Sequence, residues 1–146
     1  MSATILIIDD CTDIARISAR YLESAGYRTI IATSAMQACK ILGHTTPDGI
    51  VLDIMMPGMT GTEFLHGLRG DPICRDVPVV LVSARVGFHG THFSTTLDAD
   101  YSVGKPFTRQ QLVHAVRTVL AKRTGSAAAP PAGPRADLRT ALPATC

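Results

Sequence analysis

Long apolar runs are missing from this sequence. The run Ile5-Leu6-Ile7-Ile8 is interrupted by Asp9 and Asp10, well short of the about 18 to 20 residues that a membrane-crossing helix needs. It reads as neither a signal peptide nor an anchor. Paired cysteines are missing too. Cys11, Cys39, Cys74 and Cys146 are scattered, with no CxxC and no histidine at zinc spacing, which excludes a recognisable zinc motif and points to reduced thiols in a cytoplasmic protein. There is no internal repeat and no Lys/Arg cluster. Residues 1–122 hold 11 Lys and Arg against 11 Asp and Glu, so the net charge of +2 belongs to the last residues. A folded part without a basic stripe is not one that itself grips nucleic acid by neutralising phosphates.

What is present is a core. With 146 residues, 46% hydrophobic and 18% charged, the chain has one domain's worth of length and enough apolar surface to fold. Apolar, β-branched runs at 4–8, 28–32, 49–52 and 77–82, and a weaker one at 101–103, read as strands. Segments of helical period lie between them. One spans 13–25 and stops at Gly26, which suits a left-handed C-terminal position. Another, 35–42, follows Ser34 with Gln37 three residues on, a capping-box pattern, and Gly43 closes it. Thr108 and Gln111 repeat that pattern before the stripe Leu112, Val113, Val116, Val119, Leu120. Strands alternating with helices, the strands nearly continuous in apolar residues, predict an α/β fold: a doubly wound five-stranded parallel sheet flanked by five helices. From Thr124 the composition shifts to seven Ala, four Pro and two Gly in 23 residues. The expected division is a domain at 1–122 and a disordered Ala/Pro-rich tail or linker at 123–146.

In an open parallel sheet, ligands bind beyond the carboxyl ends of the strands. Those ends carry Asp9 and Asp10, Asp53, Ser83, and Gly104 leading to Lys105-Pro106. One Asp after a strand is more often a turn or cap residue, its side chain bonding nearby amides. Three converging on one edge are a different matter. Crowded carboxylates repel and raise a pKa unless a cation neutralises them. A hard divalent ion with oxygen ligands does so, and Mg2+ fits because it takes one or two carboxylates and leaves positions for phosphate oxygens. With Lys105 as a point charge and Ser83 as a donor, the set suits phosphoryl transfer to a carboxylate.

The stretches Ile5-Leu6-Ile7-Ile8-Asp9-Asp10, Val51-Leu52-Asp53-Ile54-Met55-Met56-Pro57-Gly58-Met59-Thr60-Gly61, Val82-Ser83-Ala84 and Lys105-Pro106-Phe107 resemble the receiver domain of two-component response regulators. The resemblance covers about residues 3–122, with the motifs in order at matching separations. It implies a flavodoxin-like strand order 2-1-3-4-5, and a switch that accepts a phosphoryl group on Asp53 from a histidine kinase or histidine phosphotransfer protein. It also implies that Asp10 binds Mg2+ directly, Asp9 through water, and the Met55 backbone carbonyl completes the protein's share, with Asp53 itself at the metal. Lys105 would pair with the phosphoryl group, its peptide bond to Pro106 being cis, and Ser83 would swing to a phosphoryl oxygen. Such a switch catalyses its own phosphorylation and dephosphorylation and is not an enzyme on a separate substrate. Its downstream protein partner would dock on the fourth helix, fifth strand and last helix. A phosphorylation-dependent homodimer is among the assemblies the resemblance allows.

Two departures stand out. The aromatic switch position, three before the Lys, is Ser102, while Tyr101 lies one earlier and should face the other side of the strand. The segment 86–97, expected as the fourth helix, is half Gly, Ser and Thr, poor helix formers, so a short or mobile helix is expected there. His44, His66 and His114 are isolated, and His89 and His92 lie three apart; all read as surface histidines. Cys11 beside the acidic pair reads as a packed thiol ahead of a redox sensor. Other classes compete with the switch. A transcriptional regulator would carry its DNA-binding part beyond this sequence. A Mg2+-dependent phosphatase of the haloacid-dehalogenase kind wants a second acid two residues after the nucleophile, where Met55 stands. A flavin binder would set its cofactor phosphate against three carboxylates.

Overall fold

Five strands form one sheet in the computed structural model, which describes residues 3–56, 58–83 and 100–125. The strands are β1 (Thr4–Ile8), β2 (Arg28–Ala32), β3 (Gly49–Asp53), β4 (Val79–Ser83) and β5 (Tyr101–Gly104). All pair in parallel, in the order β2-β1-β3-β4-β5. The first reversal in that order, between β1 and β3, is where a doubly wound sheet opens its crevice. Four helices are seen among the described residues: α1 (Thr12–Ser24), α2 (Ala35–Leu42), α3 (Gly61–Arg69) and α4 (Arg109–Gly125). The segment 86–97, expected as a further helix, lies outside the described residues, as do His89, His92 and 126–146. The last helix runs on to Gly125, past the position where the composition changes.

The period-two geometry of a strand sorts the apolar residues into two layers. Leu6, Ile8, Ile50, Leu52, Val79 and Leu81 pack with α2 and α3 on one face. Ile5, Ile7, Val51, Val80, Val82 and Val103 pack with α1 and α4 on the other. The stripe Leu112, Val113, Val116 and Val119 lies buried in that second layer.

Local signals set the helix ends. At Gly26, φ is +99°. Its N–H donates to Glu23 O at 3.0 Å, and Tyr27 N–H donates to Leu22 O at 3.1 Å, the paired bonds of a Schellman ending. Thr108 and Gln111 form a full capping box, with Gln111 N–H on Thr108 Oγ1 and Thr108 N–H on Gln111 Oε1. At α2 the box is half-formed. Ser34 Oγ accepts from Gln37 N–H at 3.1 Å, but the Gln37 side chain takes the Thr33 N–H instead of that of Ser34. Cys11 is an exposed free thiol at the N-cap of α1; Cys39 on α2 and Cys74 are buried in the core, and Cys146 lies outside the described residues.

Candidate functional site

The ends of β1, β3 and β5 bring the predicted residues together. Asp9 follows Ile8, and its N–H still bonds to Ala32 O at 3.1 Å, so the sheet holds its backbone. Asp9 Oδ1 accepts the N–H of Cys11, the residue at the N-cap of α1, at 2.9 Å. Asp53 closes β3 opposite Val82, with Oδ1 accepting the Met55 N–H at 3.2 Å. Asp9, Asp10 and Asp53 each offer an oxygen within 4.8 Å of the others; Asp9 and Asp53 are buried and Asp10 is exposed. Lys105 enters from beyond β5, where its peptide bond to Pro106 is cis, as the resemblance implies. Its Nζ donates to Asp9 Oδ2 at 3.0 Å and lies 3.5 Å from Asp53 Oδ1. Its own N–H donates to Ser83 O at 2.7 Å, which ties the ammonium's backbone to the end of β4.

Burial sets the electrostatics. Only 3% of Asp53 is exposed. Loss of water and then the Asp9 charge push its carboxyl up from the ordinary 3.8 to about 6, against the pull of Lys105 and the Met55 N–H. Burial works to lower the Lys105 ammonium, but its hydrogen bond to Asp9 and the charges of Asp53 and Asp9 outweigh this and raise it above the ordinary 10.5. The donors are carboxylate oxygens, the hard set that suits Mg2+.

Ser83 and Ser102 are buried on adjacent strands. Among the described residues, no buried side-chain polar atom lacks a partner. Tyr101 lies on the other face, packed into the α1–α4 layer, its ring 6.1 Å from that of His114 and edge-on to it. His44, His66 and His114 are exposed.

Two features of the site escaped sequence reading. Thr60 and Glu63 form a full capping box at the start of α3, Thr60 Oγ1 accepting from Glu63 N–H at 3.2 Å. Its T-x-x-E signature was there to be found. Gly61 N–H donates to Ile54 O at 2.8 Å, and a Cβ on Gly61 would sit 2.4 Å from Asp53 O. Only glycine lets α3 begin against the backbone that carries Asp53.

A doubly wound α/β sheet with an acidic pocket and a lysine at its carboxyl edge defines the class of protein. The family model described as the response regulator receiver domain matches residues 5–117, and the chain belongs to that family. It is 35% identical over 122 residues to the phosphate regulon transcriptional regulatory protein PhoB of Pseudomonas aeruginosa, covering 84% of this chain and 53% of that one. It is 34% identical over 118 residues to the response regulator SaeR of Staphylococcus aureus, covering 81% and 50%. The chain therefore spans about half the length of these curated relatives. Among solved structures, a CheY-like receiver domain protein from Methanospirillum hungatei superposes with a TM-score of 0.75 at 25% identity, over 86% of this chain and 98% of that one. The receiver domain of a signal transduction histidine kinase from Syntrophus aciditrophicus gives 0.75 at 26%, over 90% and 100%. Receiver domains are signalling switches that bind Mg2+ at an acidic pocket and interact with histidine kinases or phosphotransfer proteins and with downstream partners; Asp9, Asp10 and Asp53 form such a cluster here. Among the described residues, no helix is long and apolar enough to cross a membrane.

Proposed function

We propose that this chain is a cytoplasmic, phosphorylation-activated switch of a two-component phosphorelay, with Asp53 as the phosphoacceptor. The observation that carries the reading is the Lys105 ammonium held against both Asp9, at 3.0 Å, and Asp53, at 3.5 Å. A cation so placed meets the charge that arrives with a phosphoryl group. A carboxylate oxygen of Asp53 attacks phosphorus as the bond from phosphorus to the donor imidazole nitrogen breaks, the electron pair leaving with the imidazole. Lys105 then pairs with a phosphoryl oxygen, and the Ser83 hydroxyl turns to donate to another. Asp9, Asp10, Asp53 and the Met55 carbonyl would hold Mg2+, which supplies charge neutralisation at the acceptor. No separate substrate is turned over; the chemistry is the chain's own phosphorylation and dephosphorylation.

Moving a two-state switch from mostly off to mostly on takes a differential of about 5 kcal/mol. Charge-assisted bonds from Lys105 and Ser83, together with the metal, are of the right size. The usual hydroxyl-to-aromatic coupling is absent from this reading, because Ser102 holds the aromatic position and Tyr101 packs on the opposite face. The output surface is taken to be the segment 86–97 with β5 and α4, on which a downstream protein or a second phosphorylated copy would dock.

A second reading makes this the receiver part of a longer DNA-binding regulator. It is favoured by the similarity to a transcriptional regulatory protein of which the chain spans 53%. A longer reading frame in the source genome decides between them. Incubation with Mg2+ and acetyl phosphate, followed by intact mass, tests the shared core. A Mg2+-dependent gain of one phosphoryl group that Asp53→Ala abolishes supports it; no adduct on a folded, Mg2+-bound protein overturns it.

A further inference from the structure

Lys105 reaches its two carboxylates on a flexible four-carbon stem, so its ammonium is only as well placed as the backbone on either side. On the N-terminal side the sheet holds it, through the 2.7 Å bond from Lys105 N–H to Ser83 O. On the C-terminal side Pro106 is exposed and has no N–H to give. The next residue, Phe107, is half-buried, and its ring meets that of Tyr21 on α1 edge-on, with centroids 6.3 Å apart and planes at 75°. Two residues further, Arg109 Nε donates to Ser24 Oγ at 2.7 Å, and the Ser24 hydroxyl donates to Tyr21 O at 2.7 Å. The second half of α1 thus holds the chain after Lys105 at two points. The same helix starts at the site, where the Cys11 N–H bonds Asp9 Oδ1, the carboxylate whose other oxygen takes the Lys105 ammonium. One rigid element bonds the acidic partner at its start, through Cys11, and seats the lysine loop near its end.

We propose that Tyr21 is a positioning residue for Lys105, acting through its edge-on contact with Phe107, with the Ser24–Arg109 bond as a second, solvent-exposed tie. The rate readout below rests on Asp53 being the phosphoacceptor; the spectroscopic readout does not. Displacing a reacting or charged group by about 1 Å can cost about a hundredfold in rate, and loosening one of two ties is expected to cost about tenfold.

The variants are Tyr21→Leu, which keeps apolar volume but loses the ring edge, and Tyr21→Phe, which keeps the ring. Each is compared in the wild-type and Lys105→Ala backgrounds for the rate of Mg2+-dependent phosphorylation by acetyl phosphate. In protein labelled with 15N-lysine, the chain's three lysines, Lys40, Lys105 and Lys122, also give Nζ signals that can be assigned by substitution. Tyr21→Leu is expected to slow adduct formation about tenfold and move the Lys105 signal toward that of exposed Lys40, while Tyr21→Phe does neither. In the Lys105→Ala background, Tyr21→Leu should cost less than about twofold more, because the group it positions is gone. Equal slowing in both backgrounds, or an unmoved Lys105 signal, overturns the proposal. If the wild type takes no phosphoryl group, the phosphoacceptor reading fails while the Lys105 signal still decides the role of Tyr21. Should Tyr21→Leu not fold, Arg109→Ala at an exposed position is expected to move the Lys105 signal the same way by less, and no movement overturns the proposal.

Discussion

Lys105 Nζ donates to Asp9 Oδ2 at 3.0 Å across 96 residues of chain. That bond ties the end of β1 to the loop after β5 and leaves the ammonium 3.5 Å from Asp53. Replacing Lys105 with Ala leaves two buried carboxylates facing each other without a cation. Stability without Mg2+ should fall by about 1 to 3 kcal/mol in urea denaturation near neutral pH, lessened because the lysine is partly in water. Saturating Mg2+ should restore part of the loss.

Asp53 makes the stability of the metal-free protein depend on pH in a defined direction. Its carboxyl titrates at about 6 in the folded state against an ordinary 3.8, so folding favours the protonated form. The contribution is fully present below about 3.8 and is lost as pH rises through about 6. Asp53→Asn does not titrate at this position. Wild-type stability minus that of the variant should therefore fall between pH 4 and pH 6.5, by up to about 3 kcal/mol. With Mg2+ saturating, the slope should vanish or reverse, since the ion favours the ionised carboxylate. A flat difference without metal would contradict the burial argument.

Mg2+ binding should weaken as pH drops through about 6, because the proton and the ion compete for Asp53. Ion present at a hundred times its dissociation constant should stabilise the fold by about 2.7 kcal/mol. Asp10→Asn should reduce that gain in thermal melts while leaving the metal-free stability within about 0.5 kcal/mol, since the side chain is exposed.

Gly61→Ala places a methyl group 2.4 Å from the Asp53 carbonyl oxygen and 2.6 Å from the Ile54 Cα, where only backbone can give way. A cost of about 2 kcal/mol or more is expected by chemical denaturation. The remaining folded fraction should phosphorylate more slowly, because the strain falls on the backbone of Asp53, the proposed acceptor.

Thr60→Ala removes the cap that α3 receives from Thr60 Oγ1 and should cost about 1 kcal/mol. Restoration by Thr60→Ser, read in the same urea titration, would assign the loss to the hydroxyl.

The fold was legible because its signals are local and periodic. The strands at 4–8 and 28–32 and the helix at 35–42 fall at their read boundaries; the helix lies between the cap residue Ser34 and Gly43, which leaves little choice. Other ends moved by one or two residues; β4 begins at Val79, not Val77, because Pro78 has no N–H for the ladder and pairing with β3 starts after it. The α3 start was missed although Thr60 and Glu63 announce it. The segment 86–97, expected as the fourth helix, lies outside the described residues.

By itself, the sequence determined which residues crowd one edge of the sheet, because strand ends in a parallel sheet share an edge whatever the side-chain details. It also determined that Tyr101 and Ser102 face opposite sides, since the strand alternates. Tertiary structure alone decided that Lys105 rests on Asp9 more closely than on Asp53, that burial and not charge crowding leads the rise at Asp53, that Gly61 has no room for a Cβ, and that Tyr21 meets Phe107. Each of these depends on distances of a few ångströms between segments far apart in the chain, which no pattern along the chain encodes.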